Sequence, residues 1–190
     1  MKGPIHIITG VRGCGKTNLM LALAVWASGN GIQAGGIISP GYYDSERKKN
    51  GLMARDVASG QERELAIHDS GMTGKIKTPA YSFNAETVQW VNRKLGRSVP
   101  CELFLVDEIG PLEFYERKGW YKVFKVLQQG RFGSAAIVIR NELLADASKF
   151  WPQARVWQLS QTACIVKTIK VMTPVILREV QSWRRMNRVK

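Results

Sequence analysis

Three cysteines in 190 residues, Cys14, Cys101 and Cys164, are too few and too scattered to staple a small fold, and no C-x-x-C pair occurs among them. That excludes a disulfide scaffold and a structural zinc module, and it fits reduced thiols in a cytoplasm. Histidine is scarcer still: His6 and His68 stand alone in strand-like stretches, without the spaced partners of a metal site. Long hydrophobic runs are missing. The longest, "LMLALAVWA" from Leu19 to Ala27, falls well short of the roughly 20 residues that span a membrane. The N-terminus, "MKGPIHIITG", has neither the apolar length nor the cleavage site of a signal peptide. No membrane insertion is expected. With no repeat and no low-complexity tract, a chain of this size suits a single domain over 1–190. Acidic residues are in short supply, 15 against 28 lysines and arginines, for a net charge of +13. That balance suits an anionic partner: a nucleotide, a nucleic acid or an acidic protein surface. Most of the charge is spread out. Only the basic C-terminal segment at about 182–190, "SWRRMNRVK", sets an aromatic side chain, Trp183, beside Arg184 and Arg185 as a nucleic-acid contact would.

What is abundant is alternation between apolar runs and helical patterns. "IHIIT" (5–9) reads as a buried strand, and the residues after Lys16 read as a helix that is apolar on nearly every face and therefore interior, ending near Gly29 to Gly31. "AGGIISP" (34–40) reads as a second strand and "GYYDSERKKNG" as a charged loop. "LMARDV" and "RELAIHD" alternate around "ASGQ" as an inserted antiparallel hairpin does. Asn84 is placed to cap a helix running to Gly96, "CELFLVDE" (101–108) reads as a buried strand, and Gly130 closes the helix of "WYKVFKVLQQ". "AAIVIR" (135–140) is a strand ending on arginine, Asn141 is expected to cap the next helix, and "ARVWQLS" is a further strand. Thr173 and Pro174 look like the cap and first residue of a last helix. Strands of this kind imply an α/β fold whose mostly parallel central sheet is covered by helices on both faces.

Ligands in such sheets bind at the carboxyl ends of the strands, and three clusters of chemistry fall there. The first is Gly10, Val11, Arg12, Gly13, Cys14, Gly15, Lys16 and Thr17, followed by Asn18, which matches G-x-x-x-x-G-K-[ST] at every fixed position. Its glycines let successive N–H groups turn inward as a nest for phosphate oxygens, and the helix behind them adds its positive end. Lys16 can reach the β- and γ-phosphates and the Thr17 hydroxyl can bind Mg²⁺. The second is Asp107 and Glu108. Asp107, ending an apolar strand, suits the acid that holds the Mg²⁺ shell, and Glu108 suits activation of the attacking water. The third is Arg140, a cation to stabilise the charge of the transferring phosphoryl group; Arg12 and Arg47 are weaker alternatives.

The stretches "GVRGCGKT", "GIISPGYYDSERKKNGLMARDVASGQERELA" and, most specifically, "LFLVDEIGPLEF" resemble the small nucleoside-triphosphatases of the thermophilic-bacterial and human cancer-related type, over roughly Ile5 to Trp157. The resemblance implies a RecA-like P-loop core and Mg²⁺-dependent hydrolysis of ATP, GTP and other nucleoside triphosphates with little base selectivity. It assigns the loop lysine and threonine to Lys16 and Thr17, the strand-end aspartate to Asp107 and the catalytic glutamate to Glu108. It also implies that the Arg140 strand lies between the phosphate loop and the Asp107–Glu108 strand. Two other functions share these motifs: a nucleotide-dependent nucleic-acid-binding or assembly factor, and a small P-loop kinase.

Overall fold

A computed structural model describes residues 2–68, 76–78, 80–160 and 165–188. The first apolar run forms β1 (Ile5–Gly10), and the glycine-rich bend delivers the chain into α1 (Lys16–Gly29). Then come β2 (Ala34–Ile38), β3 (Gly41–Tyr43), β4 (Lys49–Asp56), β5 (Glu62–His68), β6 (Ile76–Thr78) and β7 (Tyr81–Phe83). Helix α2 (Ala85–Arg97) leads into β8 (Cys101–Ile109), the single turn α3 (Pro111–Phe114) and α4 (Lys122–Gln129). After β9 (Phe132–Ile139), a 3₁₀ turn (Asn141–Leu143) runs into α5 (Leu144–Phe150); β10 (Arg155–Leu159) and α6 (Ile165–Arg188) complete the described chain.

All of these strands lie in one sheet, ordered β10-β1-β9-β8-β2-β4-β5-β7-β6, with β3 paired to β4. From β10 to β2 neighbouring strands are parallel, and from β4 onward they are antiparallel. The expected hairpin is therefore the centre of a wider antiparallel extension. Its charged lead-in is not wholly a loop, because Gly41–Tyr43 pairs with β4. Every residue of β9 is buried, which demands cover on both faces. On one face Leu19, Met20 and Leu23 of α1 and Met172, Ile176 and Val180 of α6 close over Ile8, Leu105 and Val138. On the other, Val88, Val91 and Leu95 of α2 and Val123, Val126 and Leu127 of α4 close over Ile7, Val106 and Ile137.

Local signals explain several boundaries. Asn84 Oδ1 accepts the N–H groups of Glu86 and Thr87 at 2.9 and 3.1 Å, capping α2. Gly130, at φ 61°, ends α4 in the left-handed conformation. Three expectations need correction. Helix α1 is not interior: one face is buried, but Val25 on the other is 73 % exposed, so an all-apolar pattern overstated its depth. Asn141 caps no helix; the capping position belongs to Arg140, and Asn141 Oδ1 accepts instead from the Thr9 hydroxyl at 3.4 Å. Thr173 and Pro174 lie inside α6, not at its start, and the Thr173 hydroxyl donates to the Ile169 carbonyl at 2.8 Å. A proline there is tolerated because the packing of Met172, Ile176 and Val180 on the sheet carries the helix across it. His6, read as an ordinary strand residue, is buried and fastens α6 to β1. The Trp157 indole N–H donates to Nδ1 at 3.0 Å, so the ring proton sits on Nε2 and is given to Glu179 at 2.8 Å. Cys14 and Cys101 are free thiols; Cys164 lies outside the described residues. No helix among the described residues is long and apolar enough to cross a membrane.

Candidate active site

The phosphate loop takes the conformation that its glycines permit. Gly13 and Gly15 have φ of 81° and 94°, and Gly15 is the residue from which α1 starts, its carbonyl accepting the N–H of Leu19 at 2.9 Å. A side chain at Gly15 would be strained in that region and would press on Ile165 of α6. Lys16 arches back over the loop, with Nζ donating to the carbonyls of Gly10 and Val11 at 2.8 and 2.9 Å and lying 3.8 Å from Cys14 Sγ. Cys14 is buried beneath the loop, while Val11, Arg12, Gly13 and Asn18 are exposed on it.

Asp107 and Glu108 lie near the carboxyl end of β8, and a break in strand register between Val106 and Ile109 separates their environments. Asp107 is 1 % exposed; its carboxylate accepts the N–H of Ser39, just past β2, at 3.3 Å, and the nearby Thr17 hydroxyl favours its charged form. Burial, and after it the Glu108 carboxylate, push Asp107 up from 3.8 to about 7, against the pull of the Thr17 hydroxyl, the Ser39 N–H and the Lys16 charge. Glu108 takes a left-handed backbone, φ 64°, a conformation a side chain adopts only at a cost. The irregularity turns its carboxylate to Arg140, which leaves β9 next door, and Oε1 meets Nη2 at 2.9 Å with both side chains 41 % exposed. β9 lies between β1 and β8, as the resemblance implied, so Arg140 stands between the loop strand and the carboxylate strand. Arg47 sits instead in the tight turn joining β3 to β4.

Three contributors escaped the sequence reading. Ser39 carried no signal beyond a serine before a proline. Glu113 did: spaced three residues after Gly110, its carboxylate reaches back over the start of α3, accepting the Gly110 N–H at 2.8 Å and then the Trp120 N–H at 2.9 Å. Burial pushes its carboxyl up to about 7 despite these bonds. Tyr81 reaches the site only through pairing of β7 with β5, which no local pattern reveals.

Two residues of the C-terminal basic segment, Trp183 and Arg184, are engaged within the fold. Arg184 forks onto Glu102 through Nε at 2.5 Å and Nη2 at 2.6 Å and also donates to the Gly31 carbonyl, while Trp183 is half-buried beside Gly133. Arg185 remains exposed.

Residues 6–162 match the family model described as NTPase. The chain belongs to this NTPase family. It is 31 % identical to the nucleoside-triphosphatase THEP1 of Methanocaldococcus jannaschii over 58 % of this chain and 64 % of that protein. It is 34 % identical to THEP1 of Pyrobaculum islandicum over 56 % of this chain and 58 % of that one. The matched stretch thus spans less than two thirds of either relative. Among solved structures, that of a human cancer-related nucleoside triphosphatase superposes with a TM-score of 0.67 at 14 % identity, covering 91 % of this chain and 97 % of that one. The crystal structure of THEP1 from Aquifex aeolicus gives 0.59 at 18 % identity, over 82 % of this chain and 90 % of that one. These superpositions show that this family member has the same α/β fold.

Proposed function

We propose that the protein is a Mg²⁺-dependent nucleoside-triphosphatase that releases the γ-phosphate of ATP, GTP and related nucleotides, with Glu108 activating water. The observation that carries this reading is the convergence of the buried Asp107 and of the Glu108–Arg140 pair beside the Lys16 and Thr17 end of one phosphate loop. THEP1 relatives named as nucleoside-triphosphatases support it.

A buried carboxylate with a raised pKa, facing a hydroxyl, is a set of hard oxygen donors that calls for a further cation, and it suits Mg²⁺. Thr17 and Asp107 would hold the ion, which supplies charge neutralisation to the triphosphate when bound. The N–H groups of residues 13 to 17 and the Lys16 ammonium bind and orient the phosphates. Glu108 accepts the proton of the attacking water at its carboxylate, and the Arg140 guanidinium offsets charge on the γ-phosphoryl oxygens. Loss of a general base costs about 10²- to 10⁴-fold. Glu108→Gln is therefore expected to lower kcat by that amount while nucleotide binding, read by calorimetry, persists. Undiminished phosphate release by Glu108→Gln would remove the assigned base, and undiminished release by Lys16→Ala would remove the phosphate site.

A further inference from the structure

Helices α1 and α6 together cover one face of the sheet, and the two carry a single carboxylate between them. That one, Glu179, turns inward and is taken up by His6 and by the Ser134 hydroxyl. Exposed acids such as Glu86, Glu116 and Glu142 lie with the helices of the opposite face. The outer face of α6 is cationic instead. Lys167, Lys170, Arg178 and Arg185 are all exposed there, and none is paired with a carboxylate among the described residues. Like charges along one helix repel unless acids compensate them, so an uncompensated row favours an anionic partner.

The spacing of the row defines that partner. At 3.6 residues per turn the four side chains fall within about 80° of arc, and at about 1.5 Å per residue they run about 27 Å along the helix. They form two pairs. Lys170 and Arg178 are separated by about 12 Å of helix, and the exposed residues between them, Val171 and Pro174, are uncharged. The major groove of B-form DNA is about 12 Å wide and is bordered by the phosphates of both strands. We infer that the outer face of α6 is a docking surface for the backbone of double-stranded DNA. Lys167 and Lys170 meet one strand, and Arg178 and Arg185 meet the other across the groove.

The rest of this face excludes other anions. Single strands are held largely by bases stacking on aromatic side chains, and the one aromatic residue of α6, Trp183, is half-buried beside Gly133. Anchoring in a lipid surface takes Trp, Phe or Leu, whereas the exposed apolar residues of α6 are Val166, Val171 and Met186. Phosphate contacts position a protein on DNA without reading its sequence. The row uses no residue of the phosphate loop, so the inference stands apart from the hydrolase reading.

The test is fluorescence anisotropy of the full chain, without nucleotide, on labelled DNA duplexes of two unrelated sequences over about 50 to 200 mM KCl. Equal affinity for the two sequences is expected, with log K falling against log salt at a slope near −3.6, about 0.9 for each of four phosphates. Lys167→Gln, Lys170→Gln, Arg178→Gln and Arg185→Gln, made singly, should each flatten that slope by about 0.9 on both sequences. A charge-matched control replaces Arg93 and Arg97 of α2 and Lys122 and Lys125 of α4 by glutamine and should leave the slope unchanged. The proposal is overturned if neither duplex binds at the lowest salt, or if the control weakens binding as much as the four α6 substitutions combined. Tighter binding of oligothymidine, of an RNA duplex or of phosphatidylserine-containing vesicles than of the DNA duplexes overturns it as well.

Discussion

The chemistry of this site depends on how two adjacent carboxylates are kept different. Asp107 is buried against Thr17 and Ser39 and driven up to about 7, whereas Glu108 is 41 % exposed and paired with Arg140. Between pH 3.8 and 7 the native state holds a proton on Asp107 that the unfolded chain has lost, so the nucleotide-free protein loses stability as pH rises through that window. Glu113, buried and raised to about 7, adds the same sign. Asp107→Asn is expected to flatten part of this slope in urea melts recorded at pH 4.5 and 7.5. Cation binding requires the ionised carboxylate, so the Kd for Mg²⁺–ATP should rise by more than about tenfold from pH 7.5 to 5.5 in wild type. A pH-independent Kd would mean that Asp107 is not the ligand. Lys16, Thr17, Asp107 and Glu108 were all legible in the sequence because each sits at a fixed offset from an apolar strand. Ser39 and Tyr81 were not, since their positions depend on which strands pair across the sheet.

Helices and strands differ in how openly their sequences declare them. Of the five parallel strands, β1, β2, β8 and β9 read as apolar runs, whereas β10, Arg-Val-Trp-Gln-Leu, lies at the sheet edge and buries only Leu159. Strands β3, β6 and β7 are three residues each, too short to show a period, and exist because a neighbouring strand offers a ladder. The start of α6 was misread because a threonine-proline pair normally announces a helix. Here Pro174 lies well inside it and is exposed, removing one main-chain donor. Pro174→Ala restores that donor, and urea unfolding should show a gain of about 1–3 kcal/mol. A loss would mean that the interruption itself is needed. The turn after β8 is held from behind by aromatic packing, with Phe114 of α3 edge-on to Phe124 of α4 at 5.2 Å and Phe124 stacked on Trp151 at 5.7 Å. Gly119 completes it, since a Cβ there would collide with Glu113 Oε1.

For the molecule as a whole, α6 acts as a brace across the sheet, tied at one point by His6 and Glu179 and at another by Arg184 and Glu102. The net charge of +13 announced a basic surface, but it could not announce that Arg184 is committed to an internal partner. Arg184→Ala is expected to lower Tm by about 2–4 °C, corresponding to about 1 kcal/mol, without changing phosphate release. An unaltered Tm would show the brace to be redundant. Stability and turnover need not favour the same residues, and the left-handed backbone at Glu108 sets them against each other. If a library randomised at that codon were selected for thermal resistance alone, glycine should displace glutamate, since it adopts this conformation without the roughly 1–2 kcal/mol penalty. Selection for nucleotide turnover should restore glutamate. The two screens run on one library would therefore separate the residue that the fold prefers from the residue that the reaction requires.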